Sequence, residues 1–173
     1  MEQFSLTDIK KKNLSDVYHY IYMNPSCSKQ DIATALSVSL PTVSQHLTTL
    51  ESEQLIEKCG RLSSSVGRRA NAYQIISDAK IAIGLEILPH TTHILSINLY
   101  GKMIAKETLP VSFEASAAYF SKLKKAVKNF CQINHHKAES ILGIGLGVQG
   151  LISPDGSELT YGKILDCTGM SID

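Results

Sequence analysis

The segment 39–50 carries polar side chains whose types suit contact with DNA. Four hydrogen-bonding side chains fall on one side of a predicted helix: Thr42, Gln45, His46 and Thr49. A solvated helix face is usually rich in Glu and Lys, and this one has neither, so contact with base edges is favoured over simple solvation. We therefore predict that Thr42, Gln45 and His46 read bases, since such groups meet base edges in the major groove and Gln can pair bidentately with adenine.

Basic residues flank this segment at positions suited to phosphate contacts. Residues 32–50 hold no carboxylate, and residues 58–77 hold four basic residues and no acidic one, so both stretches can approach an anionic surface without repulsion. Five side chains are predicted to hold phosphates and set the register on the duplex: Lys29, Ser44, Arg61, Arg68 and Arg69. Taken alone, the serine-rich loop 61–70 is better interpreted as a solvated turn. Because it directly follows a helix-turn-helix pattern, contact with DNA is the favoured interpretation.

The sequence carries no recognisable catalytic or metal-binding constellation. The four cysteines form no CxxC pair, four histidines are irregularly spaced, and carboxylates at useful spacing are missing. The residues concerned are Cys27, Cys59, Cys131, Cys167, His90, His93, His135 and His136. We expect thiols packed as small apolar side chains in a reducing compartment, solvated or structural histidines, no catalytic residue and no metal.

Three helices and a hairpin are predicted to position the DNA-contacting residues. The first helix spans residues 6–23, and Ser28 opens a second with Asp31 three residues on. Ser39 caps a third helix that buries Val43, Leu47 and Leu50 at helical spacing. Strands at 56–60 and 73–76, joined by the loop 61–70, form a hairpin. A hairpin beside a recognition helix is the wing of a winged helix, and Arg68 and Arg69 at its tip suit a minor groove or its phosphates.

The second half predicts a mixed sheet with one helix packed on it. Strand patterns occupy residues 81–88, 92–100 and 103–111, and 141–148 is expected to be a buried strand whose glycines allow something to approach its backbone. Residues 116–135 form an amphipathic helix with an apolar face of Phe120, Leu123, Val127 and Phe130. The lysines of this helix are most simply a solvated face.

The chain as a whole is predicted to be an α+β protein of two small domains. With 43% apolar residues among 173 it can bury a core, and its net charge of +1 identifies no partner. Its apolar runs are of strand length, far short of the roughly 20 residues that cross a bilayer. The N-terminus does not match a secretory signal, so we expect a cytoplasmic protein.

In these features the chain resembles the ROK transcriptional regulators, the family of bacterial xylose and N-acetylglucosamine repressors. The matching positions are Asn13, Ser28, residues 40–44 and the Gly67-Arg68 pair, with Val66 where a first glycine is usual. The resemblance implies a winged helix-turn-helix DNA-binding domain at 1–77. At 78–173 it implies a partial lobe of the actin-like, sugar-kinase-like ROK domain, incomplete at its C-terminus.

The resemblance also bears on ligands of the second half. Glu86 and Leu88 stand where the family's phosphate loop has Asp and Gly, and Pro89 removes an N–H donor, so we expect no ATP binding and no cofactor. At the strand end near the family's sugar pocket, Gln149 replaces a proline. Gln149 and Gly150 are therefore candidate ligand-binding residues, although a tight strand end without a ligand is equally compatible.

The leading hypothesis is a DNA-binding repressor of carbohydrate-utilisation genes. It would bind a double-stranded operator as a homodimer or higher homo-oligomer, with a carbohydrate effector in the full-length protein. One alternative is a ROK-type carbohydrate kinase, against which the altered phosphate loop and the winged helix speak. Another is a lobe that serves only as an oligomerisation module. A lobe built to pack against a second lobe would expose apolar surface, for which self-association is an outlet.

Overall fold

The computed structural model describes residues 5–62 and 70–171. The chain divides into two compact units, Met1–Ile76 and Ser77–Asp173. Within the described ranges, no helix combines the length and the apolar character needed to cross a membrane.

Three helices make up most of the first unit: α1 (Leu6–Met23), α2 (Lys29–Leu36) and α3 (Leu40–Ser52). Each begins behind a serine whose hydroxyl accepts a first-turn N–H, because the first amides of a helix have no partner inside it. At α2, Ser28 Oγ accepts from the Asp31 amide at 3.2 Å while the Asp31 carboxylate accepts the Ser28 N–H at 2.8 Å. Ser37, with φ of 54°, ends α2 in the left-handed conformation and turns the chain toward α3.

A three-stranded antiparallel sheet completes the first unit. It consists of β1 (Cys27–Ser28), β2 (Ile56–Leu62) and β3 (Ala70–Ile75), in the order β1-β3-β2. The predicted hairpin is confirmed, and β1, too short to leave a sequence pattern, adds a third strand that ties the entry of α2 to the hairpin. The helices and sheet enclose a core of aliphatic side chains: Val17, Ile21, Ile32, Val43, Leu47, Leu50 and Ile56. The first unit is therefore a winged helix-turn-helix, as predicted.

The second unit is built on a four-stranded mixed sheet. Its strands are β4 (Ile81–Ile87), β5 (Thr92–Asn98), β6 (Met103–Leu109) and β7 (Ile141–Val148), in the order β6-β5-β4-β7. The β4–β7 pair is parallel and the other two pairs are antiparallel. The parallel return requires a crossover, which α4 (Ala117–Ile133) provides. The predicted mixed sheet with one helix is confirmed.

The apolar face of α4 differs from the predicted one at a single position. Tyr119, Leu123 and Phe130 are buried against β4 and β5, whereas Phe120 is 40% exposed. The prediction for Phe120 was wrong because Tyr119 takes the core position, where its hydroxyl meets Thr92 and its ring packs edge-on against Phe113.

The prediction that β7 is a buried strand was also wrong. The side chains of Leu142 and Ile144 are 65% and 57% exposed, and Leu146 is exposed as well. In the register, Ile144 lies beside Ile83 and Leu146 beside Leu85, both of which are buried. The difference arises because β7 is at the edge of the described sheet, beyond the side chains of α4 that cover β4.

A small second sheet follows β7 and was not predicted. It contains β8 (Leu151–Ile152), β9 (Glu158–Tyr161) and β10 (Met170–Ser171), in the order β10-β9-β8. Leu159 of β9 is fully buried and joins the core formed by β4, β5 and α4. This packing fixes the small sheet against the end of the larger one.

Candidate nucleic-acid interface

The recognition helix α3 has one buried stripe and one accessible side. The stripe consists of Val43, His46, Leu47 and Leu50, which recur every three or four residues and face the core. On the other side Gln45 is exposed, and Thr42, Ser44 and Thr49 are half-buried. The prediction that Gln45 and Thr42 share an accessible side therefore agrees with their placement.

His46 does not lie on that accessible side, so its predicted orientation toward bases was wrong. It is 7% exposed, and burial lowers the pKa of its imidazole. The reason is its spacing, three residues after Val43 and four before Leu50, which puts it on the core stripe. Its Nε2 finds no hydrogen-bond partner among the described residues.

Of the four polar residues on the accessible side, Thr42, Thr49 and Gln45 differ in how many hydrogen bonds their side chains already make. Thr42 Oγ1 lies 2.8 Å from the hydroxyl of the helix cap Ser39, and Thr49 Oγ1 donates to the Gln45 carbonyl at 3.2 Å. The side-chain amide of Gln45 makes no hydrogen bond to the part of the chain described here. Gln45 thus has its full donor and acceptor capacity available for a base edge.

Two of the predicted phosphate-binding residues touch one another. The Lys29 ammonium, at the first residue of α2, donates to Ser44 Oγ on α3 at 2.9 Å. Ser44 Oγ in turn donates to the Leu40 carbonyl at 2.7 Å. A positive charge is therefore held beside the accessible side of α3, next to the positive end of the α2 dipole.

The predicted basic residues of the wing are only partly within the described structure. Arg61 lies in β2 opposite Asn71 of β3. Arg68 and Arg69 lie outside the described residues, as does Gly67. Their predicted phosphate contacts stay predictions.

An ion pair that the sequence reasoning missed connects the wing to α3. Lys58 Nζ on β2 lies 2.9 Å from Glu51 Oε1 near the end of α3, and this carboxylate raises the pKa of Lys58. The Lys58 ammonium also lies 6.0 Å from the ring centroid of Tyr73. Their opposite charges on neighbouring elements were a usable signal.

The second unit brings both predicted ligand-binding residues to one surface depression. Gln149 and Gly150 line an open space of about 370 Å³ together with Leu151, Tyr161, Lys163 and Ile164. A Cβ at position 150 would collide with the Tyr161 carbonyl oxygen, so this glycine is required by the close approach of β9. Close to this depression in sequence, the Ser153 hydroxyl donates to the Asp155 carboxylate at 2.5 Å.

The segment matching the family's phosphate loop is closed by hydrogen bonds within the chain. The Leu88 amide donates to the Thr91 carbonyl at 2.9 Å, and the Pro89 carbonyl accepts from the Phe113 amide at 2.9 Å. Glu86 is exposed on β4. The Leu88 amide would have to leave Thr91 before it could donate to a phosphate.

Cysteines, histidines and carboxylates form no shared centre in the described part of the chain. No group of three or more of these residues is close enough to hold a metal ion there. All four cysteines are free thiols, and burial raises the pKa of Cys27 to about 11. A thiol with so high a pKa is a poor nucleophile at neutral pH.

Comparison with known proteins agrees with both halves of the architecture. Residues 12–57 match the family model described as winged helix-turn-helix DNA-binding. Among similar solved structures is a ROK family transcriptional regulator described as a homolog of the E. coli MLC protein. The two share 15% sequence identity with a TM-score of 0.68, and the match covers 94% of this chain and 41% of that chain. No curated protein matches the chain significantly.

These matches confirm the predicted resemblance at the level of the fold. The chain joins a winged helix-turn-helix of a DNA-binding family to a domain with the fold of a ROK regulator. It spans less than half the length of that regulator. The family model identifies residues 12–57 as a DNA-binding module, and the structural likeness extends the shared fold to the second unit.

Proposed function

We propose that this chain is a sequence-specific transcriptional repressor of carbohydrate-utilisation genes, or the corresponding part of one. Residues 1–77 bind the operator, and residues 78–173 belong to a ROK-type sugar-sensing domain. The main support for the proposal is that α3 has one buried side and one accessible polar side. One side is packed into the core, while the other presents the exposed Gln45, which follows Ser44, the residue that binds the Lys29 ammonium.

The roles within the interface follow from how each side chain is held. Gln45 and Thr42 read base edges, and Lys29, Arg61, Arg68 and Arg69 neutralise phosphates. His46 is assigned to the core of α3, since a buried imidazole cannot reach a base without unpacking the helix. Glu51 and Lys58 form an ion pair between α3 and the wing hairpin.

We propose further that the protein acts as a homodimer or higher homo-oligomer. Two recognition helices about 34 Å apart would meet successive major grooves on one side of the duplex. Support comes from the exposed apolar face of β7, since contiguous exposed apolar surface commonly marks an interface. A regulator that acts on genomic DNA works in the cytoplasm, which is the location we propose.

The effector is proposed to be a carbohydrate bound in the full-length protein near Gln149 and Gly150. Tyr161 and Lys163 also line this depression, and their side chains carry a hydroxyl and an ammonium, groups that can bond to sugar hydroxyls. An effector alters DNA binding only through its different affinity for two arrangements of the protein. The internally bonded Leu88–Thr91 turn supports a regulator over a sugar kinase.

The experiment that tests the proposal is binding of the chain to fragmented genomic DNA across a salt series. We expect specific fragments to be retained and their affinity to fall steeply with salt. Gln45→Ala should relax the selection of fragments, and the control Gln132→Ala, an exposed glutamine on α4, should not. Failure of the wild-type chain to retain any fragment, even at low salt, would refute the proposal.

A further inference from the structure

We propose that Lys29 and Ser44 form one phosphate-binding unit, in which Lys29 contacts the DNA and Ser44 is a positioning residue that does not. This inference rests on the proposed DNA-binding function. It assigns different roles to two residues that the sequence placed in one class. It also names the backbone phosphate as the group that the Lys29 ammonium recognises.

The hydrogen bonds of Ser44 leave its hydroxyl no proton to give to DNA. A serine hydroxyl has a single donor hydrogen, and that of Ser44 is directed to the Leu40 carbonyl at 2.7 Å. Its oxygen meanwhile accepts from Lys29 at 2.9 Å. Phosphate oxygens only accept hydrogen bonds, so a direct contact from Ser44 would first have to break its bond within α3.

Lys29, in contrast to Ser44, has hydrogen-bond donors left for DNA. Its ammonium carries three N–H donors, of which Ser44 takes one, so two remain for phosphate oxygens. A lysine side chain has four flexible methylene groups, and fixing it on binding costs conformational entropy. The bond to Ser44 restricts that freedom before DNA arrives, so less is lost when the phosphate binds.

The surroundings of the ammonium favour an anion. Lys29 is the first residue of α2, where the helix dipole adds partial positive charge. The Asp31 carboxylate accepts at Oδ2 from the Ser28 amide at 2.8 Å and the Ser28 hydroxyl at 2.7 Å, so this oxygen is turned back to the cap of α2. The junction of α2 and α3 therefore presents the Lys29 ammonium as a charged donor, while Asp31 is hydrogen-bonded to Ser28.

The test measures affinity of the full chain for a retained operator fragment over a salt series, with Lys29→Met, Ser44→Ala and the double variant. Lys29→Met should lower the slope of log affinity against log salt by about 0.9, the loss of one phosphate contact. Ser44→Ala should weaken binding roughly three- to tenfold in the presence of Lys29. In the Lys29→Met background, Ser44→Ala should have no further effect.

Two further variants test whether Ser44 acts by positioning Lys29 or whether the loss of any hydroxyl on α3 weakens DNA binding. Ser44→Thr retains a hydroxyl that can accept from Lys29, and it should restore near wild-type affinity. Thr48→Ala is the matched control. The Thr48 hydroxyl, like that of Ser44, donates to a carbonyl four residues earlier, but it accepts no hydrogen bond from a lysine among the described residues. This variant should leave the affinity for DNA unchanged. Thermal unfolding of each variant checks that the domain is folded.

Additive effects of Ser44→Ala and Lys29→Met would overturn the inference, because Ser44 would then contact DNA independently. An unchanged salt slope in Lys29→Met would overturn the inference as well. If the wild-type chain still bound the operator fragment in that case, the proposed DNA-binding function would stand. A wild-type chain that bound no DNA would refute both together. The wild-type measurement thus distinguishes the two failures.

Discussion

The phenol of Tyr119 on α4 and the hydroxyl of Thr92 on β5 lie 2.9 Å apart and are both buried. We expect Tyr119→Phe to destabilise the second unit by about 1–3 kcal/mol, because it leaves the Thr92 hydroxyl buried without this partner. Tyr161→Phe removes the hydroxyl of a half-exposed tyrosine and should cost little. Denaturant unfolding measures both.

A double variant tests the same relationship from the other side. Tyr119→Phe combined with Thr92→Val removes both polar groups, so no unpaired hydroxyl remains. We expect the double variant to recover most of the stability lost in Tyr119→Phe. A double variant that loses the sum of the two single effects would contradict this account of the pair.

Two glycines at the edge of the second unit should respond differently to the same substitution. Gly150→Ala is expected to cost about 1–3 kcal/mol, because the added Cβ collides with the Tyr161 carbonyl and forces β8 and β9 apart. Gly143→Ala on β7 places its Cβ in open space and should be nearly neutral. Thermal denaturation of the two variants, measured side by side, decides the point. Equal losses would rule out the close approach as the reason for Gly150.

The buried His46 should make the first unit acid-sensitive. Burial holds the folded-state pKa below its ordinary value of 6.5, so the neutral imidazole is the folded form. As the pH falls through that value, the unfolded chain binds a proton that the folded chain does not. Its contribution to stability is therefore complete at higher pH and is lost as the pH falls toward the lowered folded-state pKa.

His46→Leu removes both the titrating group and the buried Nε2 without a partner. We expect this variant to be at least as stable as the wild type at about pH 7.5 and to lose less stability on acidification to about pH 5.5. Unfolding midpoints at the two pH values give the comparison. A pH dependence parallel to that of the wild type would show that His46 does not carry the effect.

The exposed face of β7 should govern self-association. Ile144→Thr combined with Leu146→Thr is expected to shift sedimentation toward the monomer, because these side chains supply apolar surface for the interface. Ile133→Thr changes an equally exposed residue on α4 and should leave the oligomeric state unchanged. Identical sedimentation of the wild type and the double variant would exclude this face as the interface.

The boundaries of most elements could be predicted because they depend on neighbouring residues. The serine caps at Ser28 and Ser39 act on amides within the next three positions, and strands 81–87 and 141–148 are visible as short apolar runs. β1 and the small sheet formed by β8, β9 and β10 escaped prediction. Strands of two to four residues carry too short a pattern to identify.

Local patterns in the sequence were enough to predict the helix-turn-helix, the wing hairpin, the mixed sheet and the candidate residues. Which of those residues are accessible depends on the tertiary packing. It buried His46 on the core side of α3, left Ile144 uncovered at the edge of a sheet, and joined Lys29 to Ser44 across two helices. The physical reason is range: caps and periodicity act within a few residues, whereas burial and side-chain pairing depend on elements that meet only after the chain has packed.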